Sequence, residues 1–191
     1  MDIIKHNLFP SLVVEIPNFI DEKEITNILK TIKKNNFLLK KHKAFINNAM
    51  SSHSEDNFFK KLDVNFNNKL KQCLSIYAEQ SGYSIQNIIT NSWFNIQNKD
   101  SILSDHTHPL STISGVVYIK ISNESSPIYF FNPNQMINFT KINKNTSYAS
   151  EWVYFKPKPG SILLFPSWLK HGSNFVKNKD KLRVSISFNC I

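Results

Sequence analysis

Three histidines and one arginine are the side chains best placed by type and spacing to do chemistry. They occur as His106-Thr107-His108-Pro109, then His171, then Arg183-Val184-Ser185. In an extended segment alternate residues share a face, so His106 and His108 project together while Asp105 and Thr107 point away. Two imidazoles met by a third from a distant strand can occupy one triangular face of a metal ion. Imidazole suits iron, zinc, copper or nickel, and the usual non-haem iron arrangement combines two histidines with one carboxylate. Taken alone, His-x-His beside a proline is more often a solvent-facing loop, and only the context of His171 and Arg183 changes those odds.

Arg183 and Ser185 alternate in the same way. An arginine in a partly buried groove offers a planar fork to a carboxylate, and a serine hydroxyl adds a further hydrogen bond. The competing reading is a surface arginine paired with an acid such as Asp180. Coupled to the histidines, Arg183 reads instead as the anchor for the far carboxylate of a dicarboxylate whose near end chelates the metal. His6, His42 and His53 have no partner spacing and receive no role.

These residues need elements to hold them. Leu8 to Ile16 reads as an opening strand. Asp21 and Glu24 form a capping-box-like pair, and Ile25, Ile28, Leu29 and Ile32 recur at helical spacing, which predicts a helix over about 21–35. A second helix is expected from about Glu55 to Ser81, with Phe58, Phe59, Leu62, Phe66, Leu70, Cys73, Leu74 and Tyr77 on one side and Gly82 as its stop. After Gly82 come short β-branched or aromatic runs at Ile85–Ile96, Ile113–Ile121, Pro127–Phe131, Trp152–Lys156, Ile162–Phe165 and Leu182–Phe188. Two helices followed by six or more strands predict an α+β chain whose β part is a sandwich or jelly roll. One domain over 1–191 is expected, with a mainly helical part over 1–82 and the jelly-roll part over 83–191. The polar stretch Asn132 to Ser150 reads either as a lid or as a disordered loop.

The chain has 191 residues, 41% hydrophobic and 19% charged, which suits a globular domain and excludes a disordered one. Its two cysteines, Cys73 and Cys190, make no disulfide framework, and no segment approaches the roughly 18 apolar residues of a membrane span. A cytoplasmic protein without a membrane partner is expected. The net charge of +9 gathers in lysines at 30, 33, 34, 40, 41 and 43 and again at 177, 179 and 181. A solvated surface explains these better than nucleic acid, since no nucleic-acid motif accompanies them. They lean only weakly toward an acidic substrate. A homodimer through a strand edge or the first helix is left open.

The sequence resembles a family of 2-oxoglutarate/Fe(II)-dependent oxygenases of bacteria and phages. The matching blocks are Trp93-Phe94-Asn95, His106-Thr107-His108-Pro109, Ser114-Gly115-Val116-Val117-Tyr118 and Phe131-Asn132-Pro133. They continue with Pro159-Gly160 through Phe165-Pro166-Ser167-Trp168-Leu169 to His171, and with Arg183 to Asn189. The resemblance implies a double-stranded β-helix (a cupin-like jelly roll) with N-terminal helices packed on it, and Fe(II) held by His106, His108 and His171. It also implies 2-oxoglutarate bound through Arg183 with Ser185 beside it, and Tyr118 and Asn95 as further contacts; ascorbate would be a supporting reductant. The wider superfamily carries His-x-Asp or His-x-Glu where this chain has His-x-His. Asp105 is then expected to support the ligands from outside, with direct ligation as its rival.

The implied reaction is hydroxylation of a small-molecule or peptide side-chain substrate, with succinate and carbon dioxide released. Phe130, Phe165, Trp93 and Trp168 are candidates for an apolar wall, although Phe165 and Trp168 read better as core. Two alternatives belong to other classes: a cupin-like three-histidine metalloenzyme that does not use 2-oxoglutarate, and a non-enzymatic jelly-roll binding protein.

Overall fold

A computed structural model describes residues 2–4, 6–53, 57–146 and 148–191. Strand β1 (Val14–Ile16) leads into helix α1 (Glu22–Lys34). The helix starts where the sequence places it, because Asp21 Oδ1 accepts from the Glu24 amide at 2.8 Å and Glu24 Oε2 accepts from the Asp21 amide at 2.9 Å. The opening strand is shorter than expected. Phe9 adopts a positive φ of 56° and Pro10 has no amide to donate, so the chain pairs only from Val14 onward.

The second helix is also shorter: α2 spans Val64–Ser81, capped by Asp63 and closed by Gly82 in the left-handed region. The expected start at Glu55 lies outside the described residues. Phe58–Lys61 form a separate 3-10 turn, because Asn57 accepts from the Phe59 amide and Asp63 accepts from the Asn65 amide. Two short polar side chains thus begin two separate turns within one continuous apolar pattern.

The strands are β2 (Phe45–Ile46), β3 (Ala49–Ser51), β4 (Ile89–Gln97), β5 (Ile102–Leu103), β6 (Ile113–Lys120), β7 (Ile128–Phe131), β8 (Trp152–Phe155), β9 (Ile162–Pro166), β10 (His171–Gly172) and β11 (Arg183–Cys190). They form a six-stranded sheet in the order β1-β9-β6-β11-β4-β3, a three-stranded sheet β10-β7-β8 and the small pair β2-β5. The named pairings are all antiparallel. Residues before position 82 are therefore not helical alone, since β1 and β3 supply both edges of the large sheet. β4 begins later than expected, just past Asn87 with its φ of 56°.

Strand alternation divides the large sheet into two faces. Val184, Ile186, Phe188 and Cys190 of β11 join Val117 and Ile119 of β6, Ile162 and Leu164 of β9, and Ile28, Ile32, Phe66, Leu70 and Leu74 of the helices in the main core. The opposite face meets the small sheet. There Val116, Tyr118, Leu163 and Phe165 pack against Ile128 and Phe130 of β7. The candidate site lies on this inner face. Among the described residues no helix is long and apolar enough to cross a membrane.

Candidate metal and cosubstrate site

Positions 183, 185, 187 and 189 of β11 all turn toward one cavity of about 380 Å³ between the sheets. Register aligns them with their neighbours. Ser185 lies between Asn95 on β4 and Tyr118 on β6, and Arg183 lies opposite Gln97. Arg183 is 7% exposed and donates through Nη1 to Gln97 Oε1, with its guanidinium carbon 5.4 Å from the Tyr118 ring centroid. The reading of Arg183 as a surface partner of Asp180 does not hold. Asp180 instead accepts from Ser125 Oγ and from the Ser122 and Leu182 amides.

Arg183 Nε, the Tyr118 hydroxyl, Asn95 Oδ1 and Gln97 Nε2 are buried without a hydrogen-bond partner among the described residues. Burial pushes the Tyr118 phenol up to about 12, so it keeps its proton near neutrality and can donate. Arg183 Nε, the Tyr118 hydroxyl and Gln97 Nε2 are donors whose burial costs free energy while unmet, which an anionic ligand reaching this floor would recover.

The three histidines converge at the neighbouring part of the cavity. Their candidate ligand atoms all lie within 4.8 Å of one another, and among the described residues no carboxylate joins them. His106 and His108 do not lie in a regular strand. His106 makes an isolated bridge, its amide donating to the His171 carbonyl at 2.9 Å and its carbonyl accepting from the His171 amide at 3.0 Å. Pro109 and the positive φ of Leu110 (67°) turn the chain before a ladder can extend, yet the local backbone is extended enough to keep the alternation. Asp105 accordingly points away. Its Oδ2 is 3.8 Å from Lys170 Nζ, and its backbone is packed against Gly172.

Hydrogen bonds orient the rings. His106 Nδ1 is 2.8 Å from the Ser104 carbonyl and His171 Nδ1 is 2.9 Å from the Leu169 carbonyl. A carbonyl can only accept, so each Nδ1 carries the proton and each Nε2 keeps a lone pair. His108 Nδ1 instead meets Asn189 Nδ2 at 3.5 Å. Burial lowers the pKa of all three rings, that of His108 to about 4, so near neutrality they are uncharged. Three neutral imidazoles beside a buried guanidinium with unmet donors fit a divalent metal chelated by a dicarboxylate.

The aromatic candidates separate. The Phe165 and Phe130 ring centroids lie 4.7 and 5.9 Å from that of His171, and Trp93 lies 5.9 Å from His108. Trp93 and Phe165 line the cavity, Phe165 also belongs to the smaller core as expected, and Phe130 packs in that core behind His171. Trp168 is 49% exposed, donates to the Tyr83 hydroxyl and belongs neither to wall nor to core. None of the described residues of the Asn132 to Ser150 loop lines the cavity; part of it is a 3-10 turn, Gln135–Phe139. His42, Lys43, Phe45 and His53 line it instead. Sequence reasoning passed over both histidines, which lie where no periodic pattern announces them. It also missed Gln97, although two residues past Asn95 on one strand is the spacing of a shared face.

Solved structures of similar shape share this architecture at low identity. A 2OG-Fe(II) oxygenase family oxidoreductase from Burkholderia pseudomallei matches with a TM-score of 0.63 and 12% identity, over 93% of this chain and 82% of its own. A Pseudomonas putida prolyl-4-hydroxylase matches with a TM-score of 0.63 and 8% identity, over 94% and 92%. HygX from Streptomyces hygroscopicus, with nickel and 2-oxoglutarate bound, matches with a TM-score of 0.61 and 11% identity, over 94% and 82%. No curated protein matches in sequence. The family model described as "Putative 2OG-Fe(II) oxygenase" matches residues 91–189, which hold every site residue considered above except His42, Lys43, Phe45 and His53. The chain belongs to that family, and its cofactors are Fe(II) and 2-oxoglutarate.

Proposed function

We propose that the protein hydroxylates a C–H bond of a small molecule or a peptide side chain, with Fe(II) held by His106, His108 and His171. The observation that carries the assignment is the convergence of three neutral imidazoles beside a buried arginine with an unmet donor. The likeness to a prolyl-4-hydroxylase supports hydroxylation as the outcome. We read the two facing sheets as a double-stranded β-helix, within one domain over 1–191.

Bound Fe(II) supplies the centre at which oxygen is consumed as 2-oxoglutarate is decarboxylated to succinate and carbon dioxide, with a hydroxyl delivered to the substrate. Arg183, braced by Gln97, presents its remaining donors to the far carboxylate, and Ser185 and the protonated Tyr118 hydroxyl add neutral donors beside it. Asn95, level with Ser185, donates one amide hydrogen to Ser187 Oγ and keeps the second for the same ligand. Phe130, Phe165 and Trp93 exclude water around the ligands. Asp105 holds the 104–106 segment against β10 from outside and takes no part in ligation.

The test is an anaerobic optical titration with Fe(II) and then 2-oxoglutarate, following the visible charge-transfer band of a chelated 2-oxo acid. A band that requires both His171 and Arg183 is expected. Iron binding without the band would favour the three-histidine metalloenzyme, and no iron binding would leave a binding protein.

A further inference from the structure

The cavity continues outward past the three histidines into a second cluster. The His42 and His53 ring centroids are 4.5 Å apart, His53 stands edge-on to Trp93 at 4.5 Å, and Trp93 reaches His108 at 5.9 Å. An unbroken path of rings therefore runs from the outer end of the cavity to the candidate metal ligands. Exposure grades along it: Lys43 is exposed, His42 and His53 are half-buried, and Arg183 at the floor is buried.

The chemistry of this outer end is that of donors. His42 Nδ1 accepts from the Ala44 amide at 3.2 Å, which in the neutral ring leaves the proton on Nε2 as a donor. Neither ring nitrogen of His53 has a hydrogen-bond partner among the described residues. Lys43 also lines the cavity, and its charge reaches both rings. Among the described lining residues there is no aspartate or glutamate, against the two cations Lys43 and Arg183. A cleft lined by one sign of charge concentrates counter-charged ligands, and the chain as a whole carries +9.

We infer that His42, Lys43 and His53 form the substrate-recognition end of the cavity and take an anionic oxygen group, carboxylate or phosphate, carried by the substrate. Trp93 then offers a flat face that guides the rest of the molecule toward His108. Arg183 is already committed to the cosubstrate, so the two anionic ligands are sorted by depth. This inference rests on the oxygenase reading above.

The test uses the full chain with Zn(II) in place of iron, which keeps it diamagnetic, saturated with 2-oxoglutarate to fill the Arg183 floor. Inorganic phosphate and acetate are titrated separately while the imidazole resonances of His42 and His53 and the indole resonance of Trp93 are followed by NMR. A saturable shift is expected, weakened about fivefold by Lys43→Gln and, read on the Trp93 indole, lost in His42→Ala/His53→Ala. Tighter phosphate than acetate would assign a phosphorylated substrate, and the reverse a carboxylate. Resonances that neither anion moves, or a shift kept at parental affinity in both variants, would overturn the inference. Failure of 2-oxoglutarate to bind would instead strike the cosubstrate site, and the same titrations on the zinc form would still decide the outer cluster.

Discussion

Replacing Gly172 with alanine should loosen the metal centre without altering a ligand. A Cβ at this position would lie 2.5 Å from Asp105 Oδ1 and 3.0 Å from both the backbone nitrogen and the Cα of Asp105. The carboxylate can rotate away, but the backbone cannot, and ordinary carbon contacts need roughly 3.5 Å or more. β10 cannot retreat on its other side, where His171 and Gly172 pair with Phe130 and Tyr129 of β7. The 104–106 segment must therefore move out by about half an ångström, stretching the reciprocal bonds between His106 and His171. Overpacking of this kind costs about 1–3 kcal/mol. For a chain of this size, 2 kcal/mol corresponds to a melting point lowered by roughly 4–8 °C. A displaced support for a ligand typically weakens metal binding by about 10–100-fold. Chelator competition for Fe(II) or Zn(II), alongside thermal melts, measures both effects. A lowered melting point with parental metal affinity would refute the coupling between β10 and the histidine cluster.

Arg183→Ala should leave Fe(II) affinity nearly intact and weaken 2-oxoglutarate by about 100-fold or more, since charge-assisted bonds contribute about 1.5–3 kcal/mol each; parental affinity in a calorimetric titration would remove Arg183 from the cosubstrate site. Asp105→Asn should change metal affinity by less than about threefold, because the carboxylate points away from the cluster; loss of metal in equilibrium dialysis would make Asp105 a ligand. The metal-free protein should lose stability as pH falls. The folded His108 pKa of about 4 lies below the usual 6.5, so its contribution is complete above pH 6.5 and declines toward pH 4. That loss is on the order of 3 kcal/mol for His108, and melting points flat between pH 7 and 4 would contradict it.

Much of this arrangement is written in patterns of period two and in caps. Asp21 with Glu24 and the Gly82 stop mark helix ends through local bonds, which need no tertiary knowledge. The runs that became β6, β7, β9 and β11 are apolar or alternating over four or more residues, long enough to show their class. β2, β3, β5 and β10 have two or three residues each and exist only because a distant partner accepts their bonds. The extended segment at His106 is likewise held by a single bridge to His171. His42 and His53 became part of the cavity through the placement of β2 and β3 beside β5 and β4, a tertiary fact with no local signature.

β11 carries the main core on its even positions and the candidate site on its odd ones. A one-residue slip of β11 against β4 and β6 would exchange the two sets, driving Arg183 into the helix-packed core and Phe188 into the cavity. A change of length within this strand would therefore misplace either core or site residues, a penalty that loops do not carry. Relatives with new substrates should differ in length around residues 42–53 and keep an unbroken count from Arg183 to Asn189.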